Sequence, residues 1–71
     1  MNLITIKTLK DKSVVRNLLN YPSEDAATAA MYYELWYATS DENIVNLVCV
    51  IMNDAGGIIK RDEYNKAIQE G

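Results

Sequence analysis

Histidine and phenylalanine are missing from these 71 residues, and there is one cysteine, one proline and three glycines. Each scarcity closes off a class of function. Without histidine there is no Ser-His-Asp or Cys-His nucleophile system. A single thiol forms no internal disulfide and, with no imidazole beside it, no zinc site of the usual Cys/His kind. The longest apolar run, residues 47–52, falls far short of the ~18 residues that a membrane span needs. The opening residues, Met1-Asn2-Leu3-Ile4-Thr5-Ile6-Lys7, lack the charged start, long apolar stretch and cleavage site of a signal peptide. A lone free thiol suits a reducing compartment, so a cytoplasmic protein with Cys49 as a buried core residue is expected.

What is present is apolar surface. Hydrophobic residues make up 49% of the chain, too many for a disordered segment, and the length suits one domain over residues 1–71. Residues 3–9 are rich in β-branched side chains and read as a strand, closed by a turn at Lys10-Asp11-Lys12. Residues 13–21 are ambiguous. Val14, Val15, Leu18 and Leu19 fall at helical spacing with Asp11 or Ser13 as a cap, yet Val14-Val15 favours a strand and Asn17 and Asn20 disfavour a helix. Pro22 closes the segment in either case.

Ser23 starts the clearest element. Its hydroxyl suits an N-cap, Glu24 and Asp25 complement the helix dipole, and Ala26, Ala27, Ala29 and Ala30 favour a helix running to about Thr39. Ser40-Asp41-Glu42-Asn43 forms its exit. Residues 44–52 are short, β-branched and uniformly apolar, as a central strand is. Residues 53–57 read as a glycine-containing turn, residues 58–64 as a returning strand nearer an edge, and residues 65–71 as a frayed helical turn.

Both the helix and the central strand are apolar on two sides. The helix has a broad face of Ala26, Ala29, Ala30, Tyr33, Trp36 and Tyr37, with a second stripe of Ala27, Met31, Leu35 and Ala38 nearly opposite. On the strand, Ile44, Val48, Val50 and Met52 alternate with Val45, Leu47, Cys49 and Ile51. One helix covers one side of a sheet, so a further apolar face is left for residues 13–21, for the tail or for a second copy of the chain. The expected contact residues are Ala27, Met31, Leu35, Trp36 and Tyr37. Truncating Met31 and Leu35 to alanine is then expected to weaken association more than monomer stability.

Other groupings carry less chemistry. Tyr32, Tyr33, Trp36 and Tyr37 offer stacking faces, but at helical spacing they read as packing and interface residues. Residues 1–16 carry Lys7, Lys10, Lys12 and Arg16 against Asp11, for +3. The rest carries Lys60, Arg61 and Lys66 against nine acids, for −6, so the net −3 speaks against nonspecific nucleic-acid binding. The carboxylate pairs Glu24/Asp25, Asp41/Glu42 and Asp62/Glu63 are sequence neighbours and do not converge as an acid–base pair must. Residues 53–57 lack the spaced carboxylates of a calcium loop and lead into a strand rather than a phosphate-binding helix terminus. No catalytic set, cofactor or metal is expected.

The order of these features resembles a group of short, functionally uncharacterised proteins encoded in phages and mobile elements of Gram-positive bacteria. The resemblance is carried by Tyr21-Pro22-Ser23-Glu24-Asp25-Ala26-Ala27, by Met31-Tyr32-Tyr33-Glu34-Leu35-Trp36-Tyr37-Ala38-Thr39-Ser40-Asp41, by Val48-Cys49-Val50-Ile51-Met52-Asn53-Asp54-Ala55-Gly56-Gly57 and by Ile58-Ile59-Lys60-Arg61-Asp62-Glu63-Tyr64. It implies a strand before the helix and a hairpin after it, which tips residues 13–21 toward a strand. The expected architecture is therefore an α+β fold of order ββαββ, an antiparallel sheet with one helix on one face, with βααββ as the alternative. The expected function is that of a non-enzymatic interaction module that self-associates as a homodimer. Its alternative is a binder of a nucleotide-like small ligand at a subunit junction, for which Trp36 fluorescence is the reporter.

Overall fold

The computed structural model describes residues 1–66 and shows an α+β fold of order ββαββ. Strands β1 (Asn2–Leu9), β2 (Val14–Asn20), β3 (Ile44–Met52) and β4 (Ile58–Asn65) form one antiparallel sheet in the order β2-β1-β3-β4. Helix α1 (Glu24–Ser40) crosses one face, lying mainly over β3 with smaller contacts to β4 and β1. Of residues 13–21, Val14–Asn20 thus form a strand. The helical turn expected over residues 65–71 lies largely outside the described residues, and Asn65 itself ends β4.

Local chemistry sets the connections. Asp11, considered above as a helix cap, instead accepts from the backbone N–H of Ser13 at 2.9 Å and from its hydroxyl, closing the β1–β2 turn in which Lys12 takes a left-handed φ of 74°. Pro22 ends β2, and the Tyr21 N–H donates to the Met1 carbonyl at 2.7 Å, tying the start of the helical connection to the chain terminus. Ser23 Oγ accepts from the Ala26 N–H at 3.2 Å, the capping contact expected of a serine in extended backbone. Between β3 and β4, Asn53 Oδ1 accepts from the N–H groups of Ala55 at 3.0 Å and Gly57 at 2.8 Å, while Gly56 takes the φ of +90° that suits glycine.

The core lies between helix and sheet. Leu3, Leu47, Cys49 and Ile51 point from the two central strands to meet Ala27, Met31 and Ala38, with Ile44 and Tyr64 completing the cluster. Ile44 corrects the simple alternation expected for β3, which put it on the side of Val48 and Val50. Leu9 pairs with Ile44 while Thr8 pairs with Asn46, so Val45 is an inserted bulge residue, and the extra residue turns Ile44 inward. A second bulge at Ile59 lies between the pairs Ile51–Lys60 and Met52–Ile58.

The helix docks by its second stripe. Ala27, Met31 and Ala38 are buried, whereas Tyr33, Trp36 and Tyr37 of the broad aromatic face are 61%, 64% and 45% exposed. Alanine lets the helix backbone approach the sheet, and methionine fills the irregular gap between them. Tyrosine and tryptophan stand their rings off the sheet and keep their polar groups in water. Lys60 Nζ, on β4, reaches Thr28 Oγ1 at 3.2 Å and Glu24 Oε2 at 3.9 Å, holding one flank of α1 over that edge.

Candidate interaction surfaces

The five expected contact residues divide between inside and outside. Ala27 and Met31 are core residues of the chain's own helix–sheet layer, with relative exposures of 0% and 2%, and present nothing to a partner. Leu35 is half-buried and packs on that core. Trp36 and Tyr37 are exposed on the outer side of the helix, beside Tyr32 and Tyr33, and the Tyr33 and Trp36 rings lie tilted with centroids 6.0 Å apart. The structure therefore brings the aromatic residues together on the outer side of the helix and places Ala27, Met31 and Ala38 of the second stripe in the chain's own core, with Leu35 half-buried beside them. Truncating Met31 and Leu35 attacks the fold rather than a contact surface.

A surface that residue-by-residue reading did not assemble is the sheet face turned away from α1. Strand register builds it in four cross-strand rows. Asn20, Asn2, Met52 and Ile58 form the first, and Leu18, Ile4, Val50 and Arg61 the second. Arg16, Ile6, Val48 and Glu63 form the third, and Val14, Thr8, Asn46 and Asn65 the fourth. Its middle is aliphatic: Ile4, Ile6, Val48 and Val50 are adjacent on the two central strands and only half-buried, while Leu18 beside them is 63% exposed. The rim is mixed, with Val14, Met52 and Ile58 set among polar side chains. Asn20 Nδ2 donates to Asn2 Oδ1 at 2.8 Å, Asn46 Nδ2 to Glu63 Oε2 at 2.9 Å, and Arg61 pairs with Glu63 at 3.2 Å. The hydrogen bonds from Asn46 and then Arg61 hold the Glu63 carboxyl below the usual carboxylate range. No described residue lies over this face, since the helix is on the other side and β2 belongs to the sheet.

The two sheet edges differ. Strand β4 carries Lys60, Arg61, Asp62 and Glu63 and a bulge, features that discourage edge pairing. Strand β2 is regular and exposed along its whole length, with Arg16 its one charge. Of the basic residues near the N-terminus, Lys7 and Arg16 occupy opposite faces of the sheet and Lys10 and Lys12 sit in the turn, so they form no single strip. Asp62 and Glu63 likewise face opposite ways, Asp62 beside Cys49 and Glu63 beside Val48. Among the described residues no three potential ligands cluster as a metal site, and no helix is long and apolar enough to cross a membrane.

Cys49 is enclosed in the core. Burial first, then the charges of Glu34 and Asp62, push its thiol up to about 11, with Lys7 acting in the opposite sense. An ionised thiol is disfavoured only in the folded state. Its contribution to stability is thus complete below the unfolded-state value near 9 and is lost as pH rises from there to about 11. Urea titrations over that interval should show a steeper fall in stability for the native chain than for Cys49→Ala. At pH 8 a thiol reagent should label Cys49 only as the chain unfolds.

No family model, curated protein or solved structure matches this chain.

Proposed function

We propose that this protein is a non-enzymatic interaction module that pairs with a second copy of itself through the open face of its sheet. Such a module would be an accessory protein of the kind that phages and mobile elements encode, as the resemblance carried by residues 21–27, 31–41 and 48–64 implies. The observation that carries the self-association is the contiguous aliphatic centre on that face, Ile4, Ile6, Leu18, Val48 and Val50, uncovered by any described residue. Exposed apolar patches of this kind mark contact sites, and an apolar centre with polar side chains along parts of its rim is compatible with a protein–protein interface.

Size supports the reading. Four strands at ~4.8 Å spacing and about eight residues at ~3.3 Å rise give a face of roughly 500 Å², the same order as the ~800 Å² per partner of a standard interface. Sheets that pack face to face need this kind of surface on both partners, and a two-fold dimer supplies it from one sequence. Sedimentation equilibrium across a wide dilution series tests the proposal. The mass is expected to fall from two chains to one as concentration drops, and a single-chain mass at every concentration would overturn it.

A further inference from the structure

Resting on that reading, we infer that the two copies are related by an axis running parallel to the strands, which sets Arg16 of each against Glu63 of the other. The argument comes from where charge lies on the open face. Arg16 and Glu63 occupy the same cross-strand row at its opposite ends, Arg16 on edge strand β2 and Glu63 on edge strand β4, with Ile6 and Val48 between them. Arg16 is exposed and has no ion pair among the described residues. Glu63 is held in place by Asn46 and Arg61 and remains accessible for a second cation.

Two sheets packed face to face with their strands near alignment admit two simple two-fold axes in the plane between them. An axis across the strands lays β2 over the partner's β2. Arg16 then faces the partner's Leu18 with no carboxylate opposite it, while Arg61 meets the partner's Glu63. An axis along the strands lays β2 over the partner's β4. The row Arg16-Ile6-Val48-Glu63 then faces itself reversed, so that Ile6 covers the partner's Val48 and Arg16 meets the partner's Glu63 at both ends. Leu18 falls on the aliphatic stem of the partner's Arg61. Both arrangements cover the aliphatic centre, but only the second sets a carboxylate directly opposite each Arg16.

Charge exchange tests it on the full chain, with far-ultraviolet circular dichroism confirming that each variant folds. Arg16→Glu alone and Glu63→Lys alone are each expected to raise the dimer dissociation constant about tenfold, through two broken pairs per dimer. The double variant Arg16→Glu/Glu63→Lys is expected to return it to near the native value. A native dimer whose dissociation is unmoved by either single change, or not recovered by the double change, overturns this axis while leaving self-association intact. A native chain that is monomeric throughout removes the underlying reading instead.

Discussion

Leu47→Ala is expected to remove a large part of the folding free energy, on the order of 2–5 kcal/mol. Leu47 is fully buried at the middle of β3, the strand that α1 mainly covers, pairs across the sheet with Lys7 and Tyr64, and shares one closed cluster with Leu3, Ile51 and Met31. Two costs add when its side chain is shortened: the lost transfer of apolar atoms from water and the cavity that a β-sheet backbone cannot collapse to fill. Against a total that, at ~0.05–0.15 kcal/mol per residue, amounts to about 4–11 kcal/mol for a chain of this length, the loss is severe. A fall in Tm on the order of 15–20 °C follows for a loss near 3 kcal/mol in a domain of this size. Val48→Ala, one residue along on the open face, is the comparison. Its side chain is half-buried, and under dilute, monomeric conditions its loss should be smaller. Equal losses for the two would mean that the core does not lie on the helix side.

Met31→Ala belongs with Leu47→Ala, and for the same reason. Met31 is 2% exposed beneath α1, so its truncation costs stability first, and any weakening of association would follow from partial unfolding. That reverses the order expected from the helix pattern alone, and the cause is instructive. The elements themselves were legible. Ser23 with Glu24 and Asp25 announced the helix start, the β-branched run over residues 44–52 announced a central strand, and the order ββαββ followed once residues 13–21 were placed as a strand. Which helix stripe faced the sheet was not legible from hydrophobicity, because both stripes are apolar and nearly opposite. Size decided it. Ala27 and Ala38 permit the close approach that rings at 33, 36 and 37 would block, and side-chain volume was the signal that could have found this.

The open face was half legible. The sequence shows residues 44–52 apolar on both sides without marking which side is surplus, and the bulge at Val45 takes Ile44 out of the set with Val48 and Val50, an inserted residue that leaves no trace in composition. Its other members come from β1 and β2, and the rows that unite Ile4 with Val50 and Leu18 depend on pairing between segments far apart in sequence. A charge pattern such as Arg16 opposite Glu63 exists only after that register is set.

Ile4→Asp is the sharpest test of where that face leads. Ile4 sits between Leu18 and Val50, at the centre of the aliphatic rows and with no charged side chain beside it in its row. In a single chain the new carboxylate would stand in water, and the cost would be roughly that of a poor strand residue, on the order of 1 kcal/mol. In a paired chain it would be buried twice about the two-fold axis among aliphatic side chains with no cation directly opposite, a loss of several kcal/mol that should raise the dissociation constant at least about 100-fold. Ile4→Thr keeps the β-branch and omits the charge, so its dimer should be weakened far less. Trp36→Ala probes the rival surface, the exposed aromatic side of α1, and should leave the mass in solution unchanged. A folded Ile4→Asp chain that still pairs, together with a Trp36→Ala chain that does not, would move the interface from the sheet to the helix. The hydrophobic effect would then be acting through Tyr33, Trp36 and Tyr37, and the aliphatic rows would be a sheet face that tolerates water.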